Sequence, residues 1–364
     1  MFDRLTHRIG ALSLAGLMSF AAPVQACTSL LLKAADGTPV YGRTMEYAIA
    51  VQPDIVVIPR NYDYVATRPA GMKGIAWKSR YAAVGVMSFG QPFLSDGMNE
   101  KGLAGGALYL PGFAGYVAPD QADPQKSLAP WEFLTWALTN FATVEEVKAA
   151  LANDKISIID LPAPVVNFVL PFHFPLHDAT GASIVIESVD GKLKVYDNPL
   201  GVATNSPTFD WHLTNIRNYV NISPVNAKSL TIAGQTFAPL GQGSGLLGIP
   251  GDPTPPSRFI RALAYVASVQ PLADGPQTVR LAEHLMNNFD IPVGAIRTAP
   301  EGGPLEYTQW TALADLRAAT YYIKSYQDQV LRRIDLKSFD LDAKTLRIAP
   351  FREKTIPPAA LFNP

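Results

Sequence analysis

The chain of 364 residues suffices for one large domain or two ordinary ones, and 48% of it is hydrophobic, so a sizeable core can be buried. Lys and Arg number 30 against 31 Asp and Glu, a formal charge of −1 that gives no electrostatic reason to expect nucleic acid or an anionic membrane as partner. One cysteine, Cys27, excludes an internal disulfide.

Met1–Arg8 carries Arg4, His7 and Arg8, Ile9–Ala22 is almost wholly small or apolar, and Pro23–Ala26 closes the run. This pattern predicts a secretory signal peptide over residues 1–26, cut between Ala26 and Cys27. The apolar run is too short to span a bilayer comfortably, and no later stretch approaches eighteen uninterrupted apolar residues. The expectation is an exported, soluble protein, periplasmic or secreted. Its mature form, residues 27–364, keeps 338 residues and a charge of −2, because Asp3, Arg4 and Arg8 leave with the leader. It begins with a thiol and a free α-amine on one residue, which points to a nucleophile rather than to inert packing.

Cys27–Lys33 reads as a strand, Asp36-Gly37 as a two-residue turn and Thr38–Tyr47 as the returning strand. In that register Cys27 lies opposite Glu46, and Arg43 falls on the other face, so that it needs a bulge or a strand end to reach the thiol. Strands follow at Ile55–Pro59, Ala82–Ser88 and Ala104–Tyr109, with Pro111–Gln125 a loop. Trp131–Asn140 has a helical stripe, and Thr143–Glu146 fits a capping box opening a helix to about Leu151. Val165–Leu170, Ser183–Ser188 and Lys192–Tyr196 read as strands, the last two joined at Asp190-Gly191. Asn215–Tyr219 reads as a short helix and Leu230–Phe237 as a β-rich excursion. Ser257–Val269 and Thr278–Asn288 have helical periodicity. Trp310–Leu316, Thr320–Tyr326, Gln329–Leu336 and Thr345–Ala349 form a closing run of strands. Without regular β-α-β alternation the chain is α+β, with mainly antiparallel sheets covered by helices, in a single domain.

Several motifs carry no chemistry. Gly243–Gly248 has G-x-G-x-x-G spacing, but Ile249–Pro253 follows where a helix should start. His173 and His177 are four apart in a segment broken by Pro171 and Pro175, with no third ligand nearby, so no metal is expected.

Five ordered segments carry a resemblance: Cys27-Thr-Ser, Gly42-Arg43-Thr-Met-Glu46, Asp96-Gly-Met-Asn-Glu-Lys-Gly-Leu103, Thr204-Asn205-Ser-Pro207, and Pro250-Gly-Asp252 leading to Ser257-Arg258-Phe259. Together they resemble the choloylglycine hydrolase family of N-terminal nucleophile hydrolases, which includes penicillin V acylases and conjugated bile salt hydrolases. The resemblance implies an αββα sandwich, no cofactor and a homotetramer. It matches Cys27 to the nucleophile, Arg43 to the arginine beside it, Asn205 to the oxyanion-hole asparagine and Arg258 to the second arginine. Tyr109 falls where penicillin V acylases tend to carry tyrosine, and its backbone N–H is matched to the second oxyanion donor. Glu46 stands where the family usually has aspartate.

An ordinary thiol titrates near ~8.5 and an α-amine near ~7.7–8.0, so a proton passes readily between them. The Cys27 amine is expected to act as general base, directly or through a water, with Arg43 favouring the thiolate and Glu46 orienting the ammonium. The expected substrate is a small N-acyl amide: penicillin V first, an N-acyl homoserine lactone or a conjugated bile salt as neighbours. The rival expectation is a lipoprotein lipidated at Cys27, since Val24–Cys27 loosely resembles a lipobox.

Overall fold

The structure, a computed structural model, describes residues 26–351 apart from 70–71, 89, 153–154, 298 and 301. The leader expected over residues 1–26 lies outside the described residues except for Ala26. The principal strands are β1 (Cys27–Lys33), β2 (Pro39–Tyr47), β3 (Asp54–Ile58), β4 (Ala83–Met87), β5 (Leu94–Asn99), β6 (Ala104–Gly106), β7 (Phe172–His177), β8 (Ser183–Val189), β9 (Lys192–Asp197), β10 (Leu305–Asp315), β11 (Thr320–Ser325), β12 (Arg332–Asp335) and β13 (Arg347–Pro350). The helices are α1 (Phe133–Asn140), α2 (Val144–Leu151), α3 (Phe209–Asn215), α4 (Pro255–Ser268) and α5 (Gly275–Met286). One sheet runs β1-β2-β10-β11-β12; the other runs β9-β8-β7-β6-β5-β4-β3-β13. Both are antiparallel throughout these paths.

Alternation along the strands builds the layers. Val57, Val84, Val86 and Val185 join the core shared with the first sheet and with α4 and α5. Their strand neighbours Val56, Ile58, Ala83, Ile184 and Ile186 join a second core with Phe133, Leu134 and Leu138 of α1 and with Val144 and Val147 of α2. A period of two sends adjacent residues to opposite faces, so each strand of the second sheet serves both cores. The order helices, sheet, sheet, helices is the expected αββα sandwich. Its helices begin where the sequence signals a start: Thr143 Oγ1 accepts from Glu146 N at 3.2 Å, and Asp274 Oδ1 caps Gln277 N at 2.9 Å.

Four local readings are corrected. The first hairpin has a three-residue loop, Ala35–Gly37, in which Ala34 N donates to Thr38 O and Gly37, at φ 84°, donates to Ala34 O. Cys27 therefore pairs with Met45 and not with Glu46. Val165–Leu170 is a turn, and the strand is instead β7, whose Pro175 falls where the ladder to residues 104–109 is interrupted, so its missing N–H breaks no pairing there. The last strand, β13, leaves the closing run and pairs with β3 of the other sheet. Asn215–Tyr219 proves to be the end of α3 followed by a tighter turn of helix at Ile216–Tyr219.

Candidate active site

The shifted register decides what the thiol meets. Opposed residues in an antiparallel pair share a face, and so do residues two apart. Cys27, Met45 and Arg43 thus point together between the sheets without a bulge, while Glu46 points to the other face, towards α4. The Arg43 guanidinium lies 3.4 Å from Cys27 Sγ and 3.1 Å from Met45 Sδ. It also donates to Ser95 O at 2.8 Å and Ala107 O at 3.0 Å and lies 3.6 Å from Asp96. Burial works against its charge, but Cys27 in its thiolate form and the Asp96 carboxylate favour the cation.

Asp96, the first residue of one of the five segments that carry the resemblance, anchors the arginine. It accepts from Tyr41 at 2.5 Å and from Tyr321 at 2.6 Å, and burial pushes its carboxyl up to about 6 against the pull of Arg43. Gly106 is part of the same fit: a Cβ there would come within 2.9 Å of Asp96 Oδ2 and 3.2 Å of Arg43 Nη1.

The second group approaches the Cys27 main chain. Cys27 N, an amide here because Ala26 is attached, donates to Asn205 Oδ1 at 2.7 Å. Asn205 Nδ2 donates to Tyr109 O at 2.8 Å. Arg258, in the first turn of α4, donates to Asn205 Oδ1 at 2.6 Å, to Thr28 Oγ1 at 2.8 Å and to Cys27 O. Two histidines hold the asparagine in place: His212 Nε2 lies 2.9 Å from Asn205 O and His173 Nε2 lies 2.8 Å from Thr204 O. Sequence reasoning set His173 aside with His177; its spacing held no hint that residue 204 would fold back onto it. Glu46 accepts from Thr308 at 2.8 Å and faces Arg258, and burial pushes its carboxyl up to about 8.

Cys27, Arg43, Glu46, Tyr109, Asn205 and Arg258 are thus brought together, all buried. Beside them opens a pocket whose walls include Tyr47, Phe93, Trp131, Phe172, Val165 and Met45. Its lining carries no charged side chain. Met45 both lines it and contacts the Cys27 sulfur at 4.0 Å, so the pocket starts one side chain from the thiol. The Tyr109 ring stands between Tyr47 and Phe172, at centroid distances of 6.5 and 6.1 Å. Among the described residues no group of three or more metal-ligating side chains occurs.

Residues 27–349 match the family described as linear amide C–N hydrolases, choloylglycine hydrolase family. The chain is 36% identical over 323 residues to a bile salt hydrolase/transferase of Clostridium perfringens, covering 88% of this chain and 95% of that protein. It is 26% identical over 358 residues to a penicillin V acylase of Pectobacterium atrosepticum, covering 93% and 88%. A crystal structure of a variant conjugated bile acid hydrolase from Clostridium perfringens superposes with a TM-score of 0.79 at 34% identity, over 90% of this chain and 98% of that one.

Proposed function

Because the chain belongs to the choloylglycine hydrolase family and is a hydrolase of linear amide C–N bonds, we propose that it is an exported N-acyl amidase that uses Cys27 as an N-terminal nucleophile after a cut between Ala26 and Cys27. The observation that carries this reading is that both reactive atoms of one residue are held separately: the sulfur by Arg43 at 3.4 Å and the nitrogen by Asn205 at 2.7 Å.

In the mature enzyme the Cys27 α-amine takes the thiol proton, directly or through a water, and the thiolate attacks the substrate carbonyl. Arg43 holds positive charge beside the sulfur, and Glu46 orients the ammonium. Asn205 Nδ2 has two hydrogens, and Tyr109 O engages one; the other is left for the oxyanion, together with the Tyr109 N–H. Collapse of the tetrahedral intermediate passes the ammonium proton to the leaving amine. The α-amine then takes a proton from water, the resulting hydroxide opens the thioester, and the thiolate is released and reprotonated.

The acyl group enters the uncharged pocket, whose aromatic wall of Tyr47, Phe93, Trp131 and Phe172 suits an aryl acyl group such as that of penicillin V. The second reading, a conjugated bile salt, is favoured by the 36% identity to a bile salt hydrolase. A side-by-side assay of penicillin V, a glycine- or taurine-conjugated bile salt and an N-acyl homoserine lactone tests both. The expected result is the highest kcat/KM on penicillin V; a conjugated bile salt ahead by tenfold or more reverses the order of the two readings.

The lipoprotein alternative fits poorly, since the Cys27 sulfur is buried beside Met45 and Arg43, where a lipid anchor would have to displace the charge held at the thiol. Export places the mature chain, one domain over residues 27–364, in the periplasm or medium. A homotetramer is proposed as well, supported by an apolar arm in which Val225, Leu230, Ile232, Phe237, Leu240 and Leu247 are all exposed. Light scattering is expected to give four chains per particle, and a smaller particle from an Ile232→Ser, Phe237→Ser, Leu240→Ser variant; a wild-type monomer overturns the assignment.

A further inference from the structure

Glu306 lies on β10 two residues from Thr308, which pairs with Glu46 across the sheet. Residues two apart share a face, so Glu306 and Glu46 are diagonal neighbours on the side that meets α4. Glu306 is fully buried, and neither carboxylate oxygen makes a hydrogen bond. Its carboxylate faces the main-chain nitrogen of Ala26, the residue that precedes the proposed cut.

The surrounding charges do not balance. Arg258 faces both Glu46 and Glu306, and Arg43 acts more weakly on Glu46 from the other face. Four of the five N–H donors of Arg258 are committed elsewhere, to Pro253 O, Cys27 O, Thr28 Oγ1 and Asn205 Oδ1, and neither carboxylate accepts the fifth. Glu46 Oε1 accepts from Thr308, but Glu46 Oε2 is unpartnered. Three buried carboxylate oxygens therefore lack a hydrogen bond of normal geometry beside the Ala26–Cys27 junction, where the Ala26 N–H and the Thr44 hydroxyl act on them only in part. Burying anions this way is costly unless a counter-charge with hydrogens arrives. Burial accordingly pushes Glu46 up to about 8 and Glu306 up to about 7.

We propose that Glu306 is a positioning residue for the α-ammonium group created on Cys27 by the cut, and that this pocket of charges is completed only by that cut. The proposal rests on the nucleophile reading above. An α-ammonium carries one positive charge and three N–H donors. One donor is already directed at Asn205 Oδ1, where the amide N–H points now. The other two are free for the unpartnered oxygens of Glu46 and Glu306, directly or through a water in the space that Ala26 vacates. Departure of Ala26 also releases the Glu46 N–H, which donates to Ala26 O at 3.0 Å. Two carboxylates facing one arginine become two carboxylates facing two cations.

The test compares wild type with Glu306→Gln and Glu306→Asp, each as the mature chain beginning at Cys27 and as the full chain expressed without export, which keeps Ala26. Mass spectrometry of the N-terminus verifies each form. At pH 8, Glu306→Gln is expected to lower the melting temperature of the mature form by about 5 °C, because an ion pair is broken. In the Ala26-retaining form the same change is expected to raise it, because an uncompensated anion is removed. In the mature enzyme the lost negative charge disfavours the ammonium. The acid limb of kcat/KM then moves down by about one pH unit and the plateau kcat falls about tenfold, with KM unchanged. Glu306→Asp restores part of both effects. A stability change of the same sign in both forms, or an acid limb that stays in place, overturns the proposal and leaves Glu306 a structural residue. The melting comparison needs no turnover, so failure of Cys27 as nucleophile, read from a Cys27→Ala variant that still hydrolyses substrate, is separately visible.

Discussion

Cys27→Ala is expected to reduce amide turnover by a factor on the order of 10⁶ while leaving the fold in place. The sulfur is the proposed attacking atom, and Cys27 is the single cysteine of the sequence. Structurally the change is small. The β1–β2 pairing is made by the backbone, and Arg43 keeps Ser95 O, Ala107 O and Asp96 after the thiol is gone. Met45 loses one contact at 4.0 Å. The checks are steady-state hydrolysis of the preferred amide and near-ultraviolet circular dichroism, which is expected to match the wild-type spectrum. Turnover within a hundredfold of wild type would sink the assignment.

A chain that keeps Ala26 is expected to be inactive by at least about 10²–10⁴-fold, the range that a positioned general base contributes. With Ala26 attached, the Cys27 nitrogen is an amide whose lone pair is delocalised, and its hydrogen already points at Asn205 Oδ1. It has no basic site to offer the thiol. Ala26 is itself tied down, its carbonyl accepting from Glu46 N at 3.0 Å. Comparing single-turnover acylation of the two forms isolates the step, because both have the same pocket. Equal acylation rates would show that the base is some group other than the α-amine.

The layer architecture was legible because it depends on patterns that local sequence carries: short apolar runs in β3, β4 and β8, a capping box at α2, helical periodicity in α4 and α5. The site residues were legible through ordered motifs, and all six meet. What failed was geometry one residue fine. Asp36-Gly37 carries a strong two-residue turn signal, and nothing in Ala35 announces that it joins the loop. β7 was hidden by Pro171 and Pro175, since a proline reads as a strand breaker unless the interruption of the neighbouring ladder is already known. Glu306 and Asp96 were missed for a different reason. A lone acid in a strand or a turn looks solvated until the packing of α4 over Glu306, and of Tyr41 and Tyr321 around Asp96, takes the water away.

Surface turns usually accept an extra residue without harm, since loop closure costs little and solvent fills the difference. The turn at Ala35–Gly37 is an exception with reach. Its backbone is moored from outside, Ala35 N to Leu272 O at 2.7 Å and Asp36 N to Ala273 O at 3.3 Å, in the segment that joins α4 to α5. Strand parity then propagates from this turn to the far end of the hairpin. One residue more or fewer exchanges the even and odd members of β2, so that Arg43 would turn towards α4 and Glu46 would confront the sulfur with a negative charge. An insertion at an innocuous bend is in effect a charge reversal at the thiol, and the number of residues in that bend is constrained as tightly as the identity of Cys27.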